Sequence, residues 1–250
     1  MRRAIIATLI LAAATVGANQ MLDALFMARG RVAPLPTTDG LVLYWSMDSV
    51  SGTNVFDTFG DNDGTTVGTP LFDSAYGKYL DGVRLSGTNQ YITGTVAVSY
   101  PFTLSIWVRP SISKDVALFG ISHPSNSAQY KFIRRRADNA FSIAARDTGT
   151  NVSTDSKSTN YPNGSWYHVV GVFASATSRE LYVNGVSVAT SSTSVVLSGE
   201  TVVSLGRLRA TDSVLNMQGD ADEASIWNRA LSSNEVSEIY NNGAGRFYTP

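Results

Sequence analysis

The stretch Glu180–Thr190, ELYVNGVSVAT, alternates apolar and polar side chains on both sides of Asn184-Gly185. A period of two is the mark of a strand with one buried face. Asn-Gly tolerates the positive φ values of a type I′ turn, whose twist matches two paired antiparallel strands. The spacing therefore predicts a hairpin. FTLSIWVRP, Phe102–Pro110, repeats the alternation upstream: Phe102, Leu104, Ile106 and Val108 share one face, and Thr103, Ser105, Trp107 and Arg109 share the other. The first set is expected in a core, and the second forms a candidate functional surface. Further short strands are read at LVLYWSMD, KYLDGVRLS, QYITG, VALFGIS, QYKFIRR, FSIAAR, WYHVVGVF, TVVSLGR and ASIWN. Many short strands broken by turn residues predict an all-β sandwich or barrel.

One helix is expected after these strands, in SSNEVSEIYNNG. Ser232 and Glu235 have capping-box spacing, Val236, Ile239 and Tyr240 form an apolar stripe, and Gly243 can stop it. The 250 residues include 43% hydrophobic and 16% charged side chains with Gly 21, a balance that suits one large β domain. A formal charge of −1 gives no basic footprint for nucleic acid. Cys 0 removes disulfides and thiolate metal sites, which leaves oxygen-ligated hard cations as the only metals to consider.

At the N-terminus, Arg2 and Arg3 precede an uncharged run from Ala4 to Ala18 that ends in the small residues Val16-Gly17-Ala18. Residues 1–18 have the layout of a secretory signal peptide, and the alternative is an uncleaved apolar helix that anchors the chain in a membrane or an assembly. Residues 19–38, with Pro34 and Pro36, are expected to be an extended linker or assembly segment, and the folded domain is expected over 39–250.

Taken in order, GLVLYWSMD, DTFGDNDGTTVG, YLDGVRLSGTNQYI, PFTLSIWVRP, SWYHVVGVF, RELYVNGVSVAT, VSLGR and GDADEASIWNRALSSNEVSEIYNNG resemble the laminin-G-like jelly-roll family of the concanavalin A-like lectin and glucanase group. The resemblance implies a two-sheet antiparallel jelly-roll sandwich closed by a final strand and one short C-terminal helix. It implies a structural calcium ion held by Asp48, by Asp222 and by a carbonyl of Asp81 or Gly82. It also implies an exported recognition or adhesion domain, secreted or at the cell surface, whose partner is a glycan or glycoprotein.

Trp107, Arg134, Arg136, Tyr130 and Tyr161 are the candidate ligand-binding residues, with Tyr91 a weaker one. Trp107 could stack on a sugar ring or be covered by a loop. Arg134 and Arg136 point the same way on a strand and have forks suited to carboxylates and sulfates, although charged side chains also protect strand edges. The DNDG run, Asp61–Gly64, lacks the first Asp and the terminal Glu of an EF-hand, so Asp57, Asp61 and Asp63 are read as turn formers. No Glu-x-Asp-x-x-Glu run is present, and neither His123 nor His168 accompanies a nucleophile motif, so a non-enzymatic role is expected. The other reading is a structural component of a surface layer, filament or virion that self-assembles through its N-terminal segment.

Overall fold

In the computed structural model, Asn184 and Gly185 have φ of 51° and 77°, the two positive values a type I′ turn requires. Residues 33–196, 199–208 and 215–249 are described; the expected segment 1–18 and most of 19–38 lie outside them. In chain order the strands are β1 Leu41–Trp45, β2 Val50–Ser51, β3 Asn54–Val55, β4 Gly64–Val67, β5 Leu71–Asp73, β6 Gly82–Ser86, β7 Tyr91–Thr95, β8 Phe102–Pro110 and β9 Val116–Ser122. They continue with β10 Tyr130–Arg135, β11 Phe141–Arg146, β12 Asn151–Asp155, β13 Tyr167–Ser175, β14 Ser178–Val183, β15 Val186–Ser191, β16 Val202–Leu205 and β17 Gln218–Trp227, followed by helix α1 at Ser233–Tyr240.

The strands form two antiparallel sheets packed as a sandwich. One sheet runs β15-β14-β13-β8-β17-β6-β5, with β1 beside β6 on the same flank of β17; the other runs β12-β11-β10-β9-β16-β7-β4-β3-β2. Phe102, Leu104, Ile106 and Val108 fill the space between the sheets with Trp45, Phe119, Ile133 and Phe173, as the alternation in β8 requires. Burying such side chains is the main favourable term in folding, at about 1.5–3 kcal/mol each.

The opposite face of β8 does not form an open surface. It lies beneath α1 and the chain ends, where Leu41, Tyr44, Tyr182, Trp227, Val236 and Ile239 make a second apolar cluster. The Ser232–Glu235 capping box is present and Val236 and Ile239 are buried. The helix ends at Asn241, φ 47°, rather than at Gly243, because the short polar Asn side chain also tolerates the left-handed region. Residues expected as linker dock here: Pro34 bridges to Phe247, and Leu35 N–H donates to the Phe247 carbonyl.

Candidate functional site

Two places concentrate polar chemistry. The first is the outward face of the nine-stranded sheet. In β4 and β7, Thr66 and Ile92 pair on the core side, which turns Thr65, Tyr91, Thr93 and Thr95 outward. The register of β16 aligns Ser204 with Thr93 and Val202 with Thr95. Together with Arg207 these residues line a depression of about 440 Å³. Gly206 sets the exit from β16: its φ is +86°, and a Cβ there would lie 2.2 Å from Leu85. The turn delivers the Arg207 guanidinium over the Tyr91 ring at 4.9 Å, where its Nη1 donates to Asn89 Oδ1 at 3.1 Å.

Tyr130 borders the same face, since Ser122 lies between it and Val202 in the register. Two strand spacings put its backbone about 10 Å from that of Val202. Leu208 and Leu215 cross the sheet over Ala117, Phe132 and Ala144. Beyond that cover Arg134 and Arg136 do lie side by side, and both are tied to the carboxylate of Asp155 on β12. Arg135 points the other way and is fully buried, donating to the carbonyls of Asn139 and Tyr161. Tyr161 is away from this face, its ring packed against Phe141 and Tyr167.

Trp107 requires a correction. It is 2% exposed, packed against both His168 and Tyr240, which also touch each other, and close to Phe247, with Lys78 Nζ 4.7 Å from its ring centre. The open sugar platform is therefore excluded, and the ring anchors α1 and the C-terminal segment to the sheet. His168, whose Nε2 lies 2.8 Å from Ser105 Oγ, is buried in the same layer, and burial pulls its pKa down to about 3. This histidine stays neutral and packed.

The second place is a carboxylate cluster at a bulge in β17. Asp222 pairs with Trp107, and Ser225 with Ser105, so three steps on β17 oppose two on β8, and Glu223 takes φ 55°. Asp222 Oδ2 accepts from the backbone N–H groups of Lys78 at 2.7 Å and Tyr79 at 3.0 Å. Asp48 Oδ1 accepts from Asp81 N–H at 2.8 Å. Thus Asp48, Asp222 and the turn before Gly82, read from the sequence as one site, meet around residues 78–82.

Glu223 is the member that sequence reasoning missed. It is buried, and its carboxylate faces the Tyr44 hydroxyl. Burial raises its pKa well above the ordinary value, and the neighbouring Asp222 charge raises it further. Asp222 is raised chiefly by burial, against the N–H groups of Tyr79 and Lys78 that favour its charge. Asp48 lies at the exposed edge of the cluster, and partial desolvation of its carboxyl pushes its pKa up to about 6 against the Asp81 N–H that favours its charge. Lys78 sets a positive charge against Asp222, although burial lowers its own pKa; carboxylates that still resist ionisation beside it are hard oxygen donors of the kind that suits calcium. Among the described residues no three acidic or histidine side chains converge closely enough to hold an ion by themselves, so backbone carbonyls and water would have to complete the coordination. The DNDG region contributes nothing to it: Asp57 accepts from the N–H groups of Tyr44, Phe59, Gly60 and Asn62, and Asp63 accepts from that of Asp57. These are the turn-forming roles expected of Asp57 and Asp63.

Comparison with known proteins agrees with this architecture. A laminin-G-type family profile described as "Concanavalin A-like lectin/glucanases superfamily" matches residues 85–237, more than half of the chain. The chain belongs to this superfamily. Among solved structures, domain 4 of AbnA, an extracellular arabinanase from Geobacillus stearothermophilus in complex with arabinotriose, shares 20% identity over 79% of this chain and 97% of that one, with a TM-score of 0.61. Trypanosoma rangeli sialidase shares 19% identity over 88% of this chain, with a TM-score of 0.66, and the match spans only 36% of the sialidase. The binding domain of Paraclostridial Mosquitocidal Protein 1 shares 16% identity over 82% of this chain and 52% of that one, with a TM-score of 0.63. At these identities the likeness is one of fold. No curated protein sequence matches the chain. Within the concanavalin A-like superfamily the sandwich carries both binding modules and hydrolases, so function has to be argued from the sites.

Proposed function

We propose that the chain is an exported, non-enzymatic carbohydrate-recognition or adhesion module that binds a glycan or glycosylated partner on the outward face of its nine-stranded sheet. The observation that carries this reading is the depression beside Tyr91. It offers a row of hydroxyls, Thr65, Thr93, Thr95 and Ser204, with one aromatic ring and one guanidinium. Rows of donors and acceptors beside an aromatic wall match the alternating hydroxyl and C–H surfaces of a sugar. AbnA domain 4, which shares the fold, is described in complex with arabinotriose. A non-enzymatic role is supported by the position of the perturbed acids: Asp222 is 0% and Glu223 4% exposed, beneath packed side chains, whereas an acid–base pair must reach a glycosidic bond.

Calcium in this reading is structural. Asp48, Asp222 and carbonyls of the Asp81-Gly82 turn would hold it, and it would add positive charge to that of Lys78, whose charged form burial disfavours. The run Ala4–Ala18 supports export, to the medium or the cell surface, and with that run retained the module would be displayed on a membrane or assembly.

The test is a glycan array probed with the full chain, in calcium and again in chelator. Specific signal is expected in calcium. Silence in both conditions from a folded sample would overturn the carbohydrate reading and favour the structural role, which filamentous or oligomeric material built through the N-terminal segment would then support.

A further inference from the structure

The arginines of the surface divide by partner. Arg84 and Arg109 share Asp220, Arg134 and Arg136 share Asp155, and Arg229 pairs with Asp39 and Glu235. Arg207 makes no ion pair among the described residues. Its one hydrogen bond goes to the neutral amide of Asn89, its guanidinium lies against Tyr91, and its Nε is buried without a hydrogen-bond partner. Among the described residues no Asp or Glu lines the depression it enters, whose other polar groups are hydroxyls.

A guanidinium holds its charge at every accessible pH, and its fork matches carboxylate and sulfate oxygens. Placed in a recess that no described carboxylate lines, it favours an anionic occupant, because the ligand's charge replaces water that the partly buried cation holds poorly. The Tyr91 ring and Asn89 fix the fork from one side, so its direction is set before a ligand arrives.

We infer that the depression selects an acidic saccharide, one carrying a carboxylate or sulfate that Arg207 receives, while Thr65, Thr93 and Ser204 bond to the hydroxyls of the adjoining residues. This deepens the carbohydrate reading above and rests on it. Tyr91 acts as a positioning residue for the guanidinium as well as a wall of the recess.

The experiment titrates the full chain with two acidic probes, hexagalacturonate and a chondroitin sulfate hexasaccharide, and with the neutral probe maltohexaose, at low and at physiological salt. At least one acidic probe is expected to bind about tenfold or more tightly than the neutral one, the scale of a single charge-assisted bond, and the advantage shrinks with salt. Arg207→Gln should weaken the acidic probes about tenfold and erase their advantage over the neutral one, with the melting temperature unchanged. Equal affinity for acidic and neutral probes, or an advantage that survives Arg207→Gln, would overturn the inference while leaving carbohydrate binding intact. Failure of all three probes, together with a silent array, would remove the underlying reading and the inference with it.

Discussion

Lys131 offers the sharpest test of how the sandwich is held together. It lies on β10 between Ile121 and Ala145, its side chain points into the core, and it is 0% exposed. Its Nζ pairs with the carboxylate of Glu200, itself 1% exposed, and donates to the Val196 carbonyl at 2.7 Å. Burial lowers the lysine pKa, and the Glu200 charge works against that. Lys131→Met keeps the aliphatic length but removes the cation that faces the buried glutamate. Breaking a buried pair in this way costs about 3–5 kcal/mol, whereas replacing both partners by neutral groups of similar size costs little. For a domain of this size about 2–4 °C accompanies each kcal/mol, so the single variant should melt about 6–20 °C lower. Lys131→Met with Glu200→Leu should recover most of that loss. Urea melts of wild type, both single variants and the double variant give the coupling energy directly. A single-variant cost under about 1 kcal/mol, or a double variant no more stable than Lys131→Met, would refute the reasoning. Glu200 leads into β16, so this pair also fixes the strand that carries Val202 and Ser204 to the candidate binding face.

Calcium at about a hundred times its dissociation constant should stabilise the chain by about 2.7 kcal/mol, or roughly 5–10 °C by differential scanning fluorimetry, and Asp48→Ala should abolish the increment. An equal increment in the variant would place the ion elsewhere. The raised pKa of Glu223 means that folding takes up a proton there, so its stability contribution is present below the ordinary carboxylate range and lost as pH rises through the higher folded value. In chelator, Glu223→Gln should therefore melt above wild type at pH 7.5 and match it near pH 4; a lower melting point at pH 7.5 would contradict the assignment. The comparison has to be a difference from wild type, because His168, depressed to about 3, loses stability in the opposite direction as pH falls through 6.5. Trp107→Ala should cost about 3–5 kcal/mol by leaving a cavity under α1, while Trp107→Phe should leave glycan affinity unchanged. A loss of affinity in the phenylalanine variant at intact stability would restore Trp107 to the binding site.

The parts of the fold legible in the sequence were those where alternation and turn chemistry agree. The Asn184-Gly185 hairpin and the core face of β8 follow from local pattern alone, and Ser232 with Glu235 placed the start of α1. β4, β5 and β12, with sequences GTTV, LFD and NVSTD, carry too little apolar alternation to announce themselves and are strands because their neighbours pair with them. The outward face of β8 was misleading for a different reason. Polar alternation tells which residues turn away from the core, but not whether a helix 130 residues later returns to cover them, as α1 covers Trp107. At the sites, motif position named Asp48, Asp81 and Asp222 together, and hydrogen bonds bring the three to residues 78–81. Glu223 escaped because strand alternation points it away from Asp222, and only the bulge brings it into the cluster. Arg207 escaped because its significance lies in its seat over Tyr91 in a hydroxyl-lined recess, which depends on the pairing of β4, β7 and β16 rather than on VSLGR.

Binding at the Tyr91 depression is the central claim, and it is tested most directly by titrating the best array ligand into wild type, Tyr91→Ala and Thr65→Tyr. Tyr91→Ala removes the aromatic wall, and Thr65→Tyr fills the recess from an exposed strand position where an aromatic residue is well tolerated. Both variants are expected to keep the wild-type melting temperature and to lose about tenfold or more in affinity. Wild-type affinity in both would show that the ligand sits elsewhere and contradict the account.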